Sequence, residues 1–157
     1  MPPSLLFDIS SIDLKAELFD QEGVRAINPQ RGDMEHLNAI VWADTENRRI
    51  IGRKDVRSTE FWVPGHIPGR PLFPGVLMIE AAAQVASFYT KKYVGWEGFI
   101  GFGGTGETKF RGQVVPDCTM YILTQLTWAR HRRIACNVQG LVNGEMVFET
   151  SIIGVQF

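Results

Sequence analysis

The chain has 157 residues, of which 45% are hydrophobic and 21% are charged, and its formal net charge is −1. This length and composition are typical of one globular domain with a hydrophobic core. The charge balance excludes both the strongly basic surface of a nucleic-acid-binding protein and an acidic tail, so no nucleic-acid partner is expected.

The N-terminal residues 1–25 are predicted to be a leader that precedes a main domain at 26–157. They lack a basic start, a long apolar run and a cleavage site, so they are not a signal peptide. Loose helical spacing of apolar residues predicts a short helix over 12–19. Cys118 and Cys136 stand far apart without a metal-type spacing, which is typical of free thiols in a reducing compartment. We therefore expect a cytoplasmic protein.

The first regular elements of the main domain are two strands, 37–43 and 49–56, which a turn at 44–47 joins into a hairpin. Four prolines and three glycines then crowd into residues 64–75 and exclude regular structure there. Such a segment would hold its side chains rigidly. A helix is predicted from 75 to 93, and because nearly every side of it is apolar, we expect it to be buried. It is interrupted by polar residues and too short to span a bilayer.

The rest of the chain is predicted to be strands. Asn143-Gly144 indicates a two-residue hairpin. Alternation in the longest strand places Met120, Ile122, Thr124, Leu126 and Trp128 on one face. The predicted strands are 99–102, 108–110, 119–130, 134–142 and 145–155, with the glycines at 103–106 forming a bend or bulge. One antiparallel sheet around one central helix, an α+β fold, satisfies this order.

Two titratable residues could carry acid–base chemistry. His66 lies in the rigid loop and can act as a base near neutral pH. Glu80 lies on the buried helix, where an apolar setting favours a protonated carboxyl, and Gln84 follows one turn later on the same face. Gly75 opens the helix with an unpaired N–H, which suits an oxygen that gains negative charge.

Structural explanations compete with this interpretation. Glu80, Gln84, Ser87 and Lys91 follow helical spacing and could form a narrow solvent-facing stripe, and a lone loop histidine is more often structural than catalytic. The aromatic residues Phe61, Trp62 and Phe73 near His66 are likewise more often core residues than the lining of a substrate pocket. Two further histidines, at positions 36 and 131, are expected on the surface because neither has a metal-ligand partner, so no metal site is predicted.

The motif itself resembles that of the β-hydroxyacyl-acyl carrier protein dehydratases. Residues 66–84 read HIPGRPLFPGVLMIEAAAQ, against a family pattern of HFPGxPxxPGVLxxEAxAQ. Downstream, residues 109–116 read KFRGQVVP, which is similar to the second conserved stretch of the family. The resemblance covers residues 26–157.

The resemblance implies a hot-dog fold and a homodimer, often assembled into a trimer of dimers, whose active sites combine residues of two subunits. It implies that His66 removes the α-proton of a β-hydroxyacyl thioester and that Glu80 of the partner copy protonates the β-hydroxyl. Gly75 would stabilise the thioester oxygen and Gln84 would orient Glu80. No cofactor is implied. An acyl tunnel would involve Phe61, Trp62, Phe73 and Phe102, and an acidic acyl carrier protein would contact Arg70, Lys109 and Arg111.

The sequence also departs from the family pattern. Ile67 replaces the usual phenylalanine, Asp117-Cys118 interrupts a Pro-Gly-Asp turn, and residues 28–35 replace a Pro-His-Arg and Pro-Phe segment. Because the hot-dog fold hosts more than one activity, an acyl thioesterase is an alternative. A non-catalytic acyl-binding module is a third possibility that these departures motivate.

Overall fold

The computed structural model describes residues 3–157, which form one seven-stranded antiparallel sheet and one long helix. The spatial order of the strands is β1-β2-β5-β6-β7-β3, and the short β4 also pairs with β7. The strands are β1 (Ala39–Asp44), β2 (Arg49–Val56), β3 (Ile100–Thr105), β4 (Lys109–Phe110), β5 (Cys118–Arg130), β6 (Arg133–Val142) and β7 (Glu145–Gln156). The predicted strands, including the Asn143-Gly144 hairpin with positive φ at both residues, are confirmed.

The long helix lies across one face of this sheet. A short helix α1 (Gln21–Arg25) precedes the sheet, and α2 (Gly75–Tyr89) continues as one π-helical turn (Thr90–Val94). Helix α2 contacts β2, β5, β6 and β7, so the sheet surrounds it on several sides. Gly52 in β2 permits close packing against Val85 in α2, because a Cβ at position 52 would lie 2.7 Å from side-chain atoms of Leu37 and Val85. The predicted buried central helix and the α+β hot-dog architecture are confirmed.

The opposite face of the sheet is covered by the N-terminal leader. Phe7 is buried there in a second hydrophobic cluster with Ile51 and Leu123. The side-chain amide of Gln139 fixes the leader from both sides, since its Oε1 accepts from Leu6 N at 2.8 Å and its Nε2 donates to Ser4 O at 3.0 Å. Residues 3–14 are therefore packed on the domain.

Two local predictions are wrong. No helix forms over 12–19, because Ile12 and Leu14 both pack into the outer cluster with extended spacing and the Asp13 carboxylate accepts from Lys15 N at 3.0 Å. Trp128 does not share the core face of β5. The register shifts between Leu126 and Trp128, so the bulge turns Trp128 outward, where it is 38% exposed.

Candidate active site

His66 is held by backbone groups of its own loop. Its Nδ1 lies 2.8 Å from Leu72 O, and its backbone N–H donates to Trp62 O at 2.8 Å. A carbonyl oxygen only accepts, so Nδ1 carries the proton and donates it. Nε2 is therefore the ring nitrogen that remains without a hydrogen bond to residues 3–157, and it lies in an exposed loop.

The loop is fixed to the domain at both ends by aromatic residues. Trp62 and Phe73 are buried in the main core, with ring centroids 5.4 Å apart, and Phe73 N donates to Val114 O at 2.8 Å. Phe61 is 51% exposed and lies beside the ring of His36. Of the four residues predicted to line an acyl tunnel, Phe61, Trp62 and Phe73 are thus placed around the base of the loop.

Glu80 is connected to the N-terminal part of the domain through Gln84. Gln84 is 2% exposed, and its Nε2 donates both to Glu80 Oε1 at 3.0 Å and to Met34 O at 2.8 Å. Its Oε1 accepts from His36 N at 3.0 Å. Every hydrogen-bonding group of this carboxamide is used, so its orientation is fixed. Gln84 and Ser87 are buried, which contradicts the solvent-facing stripe for these two residues.

Glu80 opens onto a cavity of about 200 Å³ between α2 and the sheet. Most of the residues that line it are apolar, but Glu80 and Ser87 add polar groups on the helix side, and Phe102 lies on the sheet side. His66 is not among the residues that line it. Within one protomer, His66 and Glu80 therefore do not line this cavity together. The remaining lining residues are Gln30, Ala83, Ala86, Phe99, Ile100, Gly101, Ile134, Ile152, Ile153 and Gly154.

The start of α2 presents backbone donors. Leu77 N and Met78 N donate to Pro74 O, at 2.9 and 3.1 Å, whereas the N–H groups of Gly75 and Val76 make no hydrogen bond with residues 3–157. A Cβ at position 75 would lie 2.8 Å from the ring of Phe110. Glycine lets the aromatic ring approach the helix terminus this closely, and a larger residue would have to displace the ring.

The sequence did not predict the buried polar cluster beneath the His66 loop, which consists of His36, Lys54 and Glu60. His36 is fully buried, so its predicted surface position is wrong. Burial first, and then the nearby Lys54 ammonium, lower the pKa of His36 to about 4. Lys54 is only 2% exposed and forms an ion pair with Glu60. Burial lowers the pKa of Lys54, and the hydrogen bond to Glu60 opposes that shift.

The sequence does contain a signal for this cluster. Ile50, Gly52, Lys54 and Val56 alternate along β2, and all four are buried on the core face. A lysine at a core-facing strand position requires a counter-ion. Glu60, which follows in the next turn, provides it.

The predicted carrier-contact residues are all exposed, and each already has a partner within the chain. Arg70 donates to Gln113 Oε1 at 3.1 Å. Lys109 pairs with Glu107 at 3.3 Å and Arg111 with Glu149 at 2.6 Å. Within residues 3–157, no group of three or more His, Cys, Asp or Glu side chains could hold a metal ion, and no helix is long and apolar enough to cross a membrane.

The chain is similar in sequence to known proteins. A family model described as a FabA-like domain matches residues 28–151. The chain is 31% identical over 137 residues to a protein of Desulforamulus reducens named 3-hydroxyacyl-[acyl-carrier-protein] dehydratase FabZ, covering 87% of this chain and 96% of that relative. It is 33% identical over 140 residues to a Clostridium botulinum protein of the same name, with 88% and 96% covered.

Solved structures show the same fold. A chain of the dehydratase heterocomplex ApeI:P from Xenorhabdus doucetiae matches with a TM-score of 0.72 and 13% identity, over 85% of this chain and 90% of that one. A mutant thioesterase from Pseudomonas aeruginosa matches with a TM-score of 0.65 and 11% identity, over 91% and 97%. At such identities the likeness concerns the fold, which the dehydratase and the thioesterase have in common.

Proposed function

The chain belongs to the FabA-like family, and from this premise we propose that it is a 3-hydroxyacyl-acyl carrier protein dehydratase of fatty-acid or related lipid synthesis. The observation that carries the proposal is the hydrogen bond between His66 Nδ1 and Leu72 O. Nδ1 is committed to Leu72 O, so Nε2 is free to remove a proton. The identity to proteins that are named as dehydratases supplies the reaction class.

The proposed reaction is an elimination that two side chains share. Nε2 of His66 takes the proton from the α-carbon, and the electron pair of that C–H bond forms the new double bond. As the C–O bond at the β-carbon breaks, the protonated carboxyl of Glu80 gives its proton to the departing hydroxyl, which leaves as water. The products are a trans-2-enoyl thioester and water, with a proton left on His66 and a carboxylate at Glu80.

The helix terminus would stabilise the charge that develops on the thioester oxygen. The N–H of Gly75 is not used within the chain, and the aligned peptide groups of α2 add partial positive charge at this end. Gln84 would hold the Glu80 carboxyl in position through its hydrogen bond to Oε1. Both roles need only groups that the chain itself provides, and the proposal involves no cofactor.

The proposed active site requires two copies of the chain. His66 does not line the cavity that contains Glu80, so a second protomer would have to supply the missing partner. Strand β3 ends the sheet, and the large apolar residues Phe99, Phe102 and Phe157 are exposed on or beside it, which favours association through this edge. We propose a homodimer, with a trimer of dimers as a further assembly.

The direct test is the absorbance of the conjugated enoyl thioester when purified protein meets a 3-hydroxyacyl carrier protein. We expect turnover by the wild-type chain and loss of at least about 100-fold in His66→Ala and in Glu80→Gln, since each removes a proton-transfer group. Asn137→Leu, a change on the outer sheet face, is the control and should keep wild-type activity. Full activity in His66→Ala would eliminate the proposed mechanism.

The thioesterase alternative rests on the shared fold and has its own readout. A thioesterase would release a free thiol from the same substrate without forming a conjugated double bond. A non-catalytic acyl-binding module would retain the acyl group and give neither product. Measuring thiol release and enoyl absorbance in one sample separates the three functions.

Carrier protein binding and a cytoplasmic location complete the proposal. Arg70 lies in the His66 loop, and the exposed cations Lys109 and Arg111 flank Phe110, whose ring lies close to Gly75 at the start of α2. They would attract an acidic carrier. Each contact would contribute little binding energy, because these surface charges are already partly paired within the chain.

A further inference from the structure

A second, much smaller cavity lies beside Gln84, the residue that donates to Glu80. Its volume is about 10 Å³, and Asn28, Gln30 and Gln84 are among the residues that line it. A single water molecule needs roughly 10–15 Å³ of such space and two to four polar partners. The cavity therefore has the size of one water, and several polar side chains surround it.

Two oxygen atoms beside this cavity lack donors. Asn28 is 3% exposed, and its Oδ1 is buried without a hydrogen-bond partner in residues 3–157. Its Nδ2 donates to Gln84 O at 3.0 Å, which fixes the carboxamide orientation. Gln30 Oε1 is likewise buried without a donor. A buried acceptor without a donor is unfavourable, so a molecule that offers two hydrogens could satisfy both atoms.

The small cavity adjoins the catalytic one. Gln30 lines both the small cavity of about 10 Å³ and the acyl cavity of about 200 Å³ that contains Glu80. Gln84 lines the small cavity and donates to Glu80 Oε1. Gln30 is therefore common to the walls of the two cavities.

We propose that Gln30 and Asn28 form a binding site for the water molecule that leaves in each dehydration; this inference rests on the proposed function. When the β-carbon loses its hydroxyl, the Glu80 proton completes the water and a carboxylate remains. The water then donates its two hydrogens to Gln30 Oε1 and Asn28 Oδ1. Its transfer out of the acyl cavity separates it from the new double bond and suppresses the reverse addition.

The test follows the oxygen atom. The wild-type protein converts a 3-hydroxyacyl carrier substrate labelled with ¹⁸O at the β-hydroxyl in D₂O, and mass spectrometry of the remaining substrate measures ¹⁸O loss and deuterium uptake at the α-carbon. Gln30→Leu removes the acceptor while keeping a side chain of similar length. We expect the ratio of ¹⁸O loss to deuterium uptake to fall at least about threefold, because the trapped water re-adds before it leaves.

The ratio distinguishes this role from a structural one. A variant that merely distorts the fold slows both exchanges together and leaves the ratio unchanged. The control Asn137→Leu should keep both exchange rates, and therefore their ratio, at the wild-type values. An unchanged ratio in Gln30→Leu, or in Gln30→Met if the leucine variant does not fold, overturns the water site while the proposed function survives. If the wild-type chain exchanges neither label and forms no enoyl product, the proposed function fails and the water site fails with it.

Discussion

Replacing His36 with leucine should remove a large part of the acid sensitivity of the fold. His36 is fully buried between the rings of Phe61 and Phe73, and neither ring nitrogen has a hydrogen-bond partner in residues 3–157. Burial and the Lys54 ammonium lower its pKa from 6.5 to about 4, against the opposing influence of Glu60 at 3.9 Å. The neutral imidazole is therefore the form that the folded chain holds at pH 7.

The sign and size of the effect follow from linkage. Between pH 6.5 and pH 4 the unfolded chain binds a proton on His36 that the folded chain largely does not, so the free energy of unfolding falls as the pH falls. The pKa of His36 is about 2.5 lower in the folded chain than in the unfolded chain, and each pKa unit corresponds to 1.36 kcal/mol. Because the folded histidine is half-protonated at pH 4, the free energy of unfolding falls by about 3 kcal/mol. This stability is fully present above pH 6.5.

The assay is urea denaturation from pH 7 to pH 4 on wild type, His36→Leu and the control His131→Asn. His131 is exposed and has φ 51°, a conformation that asparagine tolerates. We expect wild type and His131→Asn to lose about 3 kcal/mol more than His36→Leu over this range. Parallel pH profiles for wild type and His36→Leu would refute the reasoning.

Three further predictions concern the loop support, the helix terminus and the carrier contact. Glu60→Gln should lower the free energy of unfolding in urea by about 3–5 kcal/mol, because it leaves the Lys54 ammonium buried and unpaired. Adding Lys54→Met should recover most of this loss. An equal loss in the double variant would contradict the ion-pair account. Gly75→Ala should reduce kcat at least about tenfold without unfolding the protein, since the added methyl group meets the Phe110 ring. An undiminished kcat would argue against the close approach of this ring to the helix terminus. Arg111→Glu should raise KM severalfold for a carrier-linked substrate but not for a small-molecule thioester; equal effects on both would exclude a carrier contact.

The regular elements could be predicted because local chemistry determines them. Prolines and glycines delimit the His66 loop, alanines and apolar residues define α2, and Asn143-Gly144 fixes the last hairpin. Each of these signals acts within a few residues, so the sequence pattern alone specifies it.

The errors have a different origin, since they depend on contacts between distant parts of the chain. Ile12 and Leu14 pack on the outer face of the sheet. The strand residues of this cluster lie about 25 to 130 positions later in the chain, so no local pattern reveals that surface. One extra residue in β5 reverses the face of Trp128. His36 is buried because Gln84 binds its backbone across 48 positions.

The candidate site was predicted in part. The residue types and spacing of His66 and Glu80 indicated acid–base chemistry, but only the structure reveals that Gln84 connects Glu80 to residues 34–36. The small cavity at Asn28 and Gln30 arises from three separate segments, and the sequence carries no signal for it.

The most direct test of the shared active site is to mix two inactive variants. His66→Ala and Glu80→Gln are purified separately, combined in equal amounts under conditions that allow subunits to exchange, and assayed for enoyl formation. Random pairing makes half of the dimers mixed, and each mixed dimer has one site with both groups intact, so we predict recovery of about one quarter of wild-type activity. Exchange that is verified by mass spectrometry but restores no activity would contradict a site built from two chains.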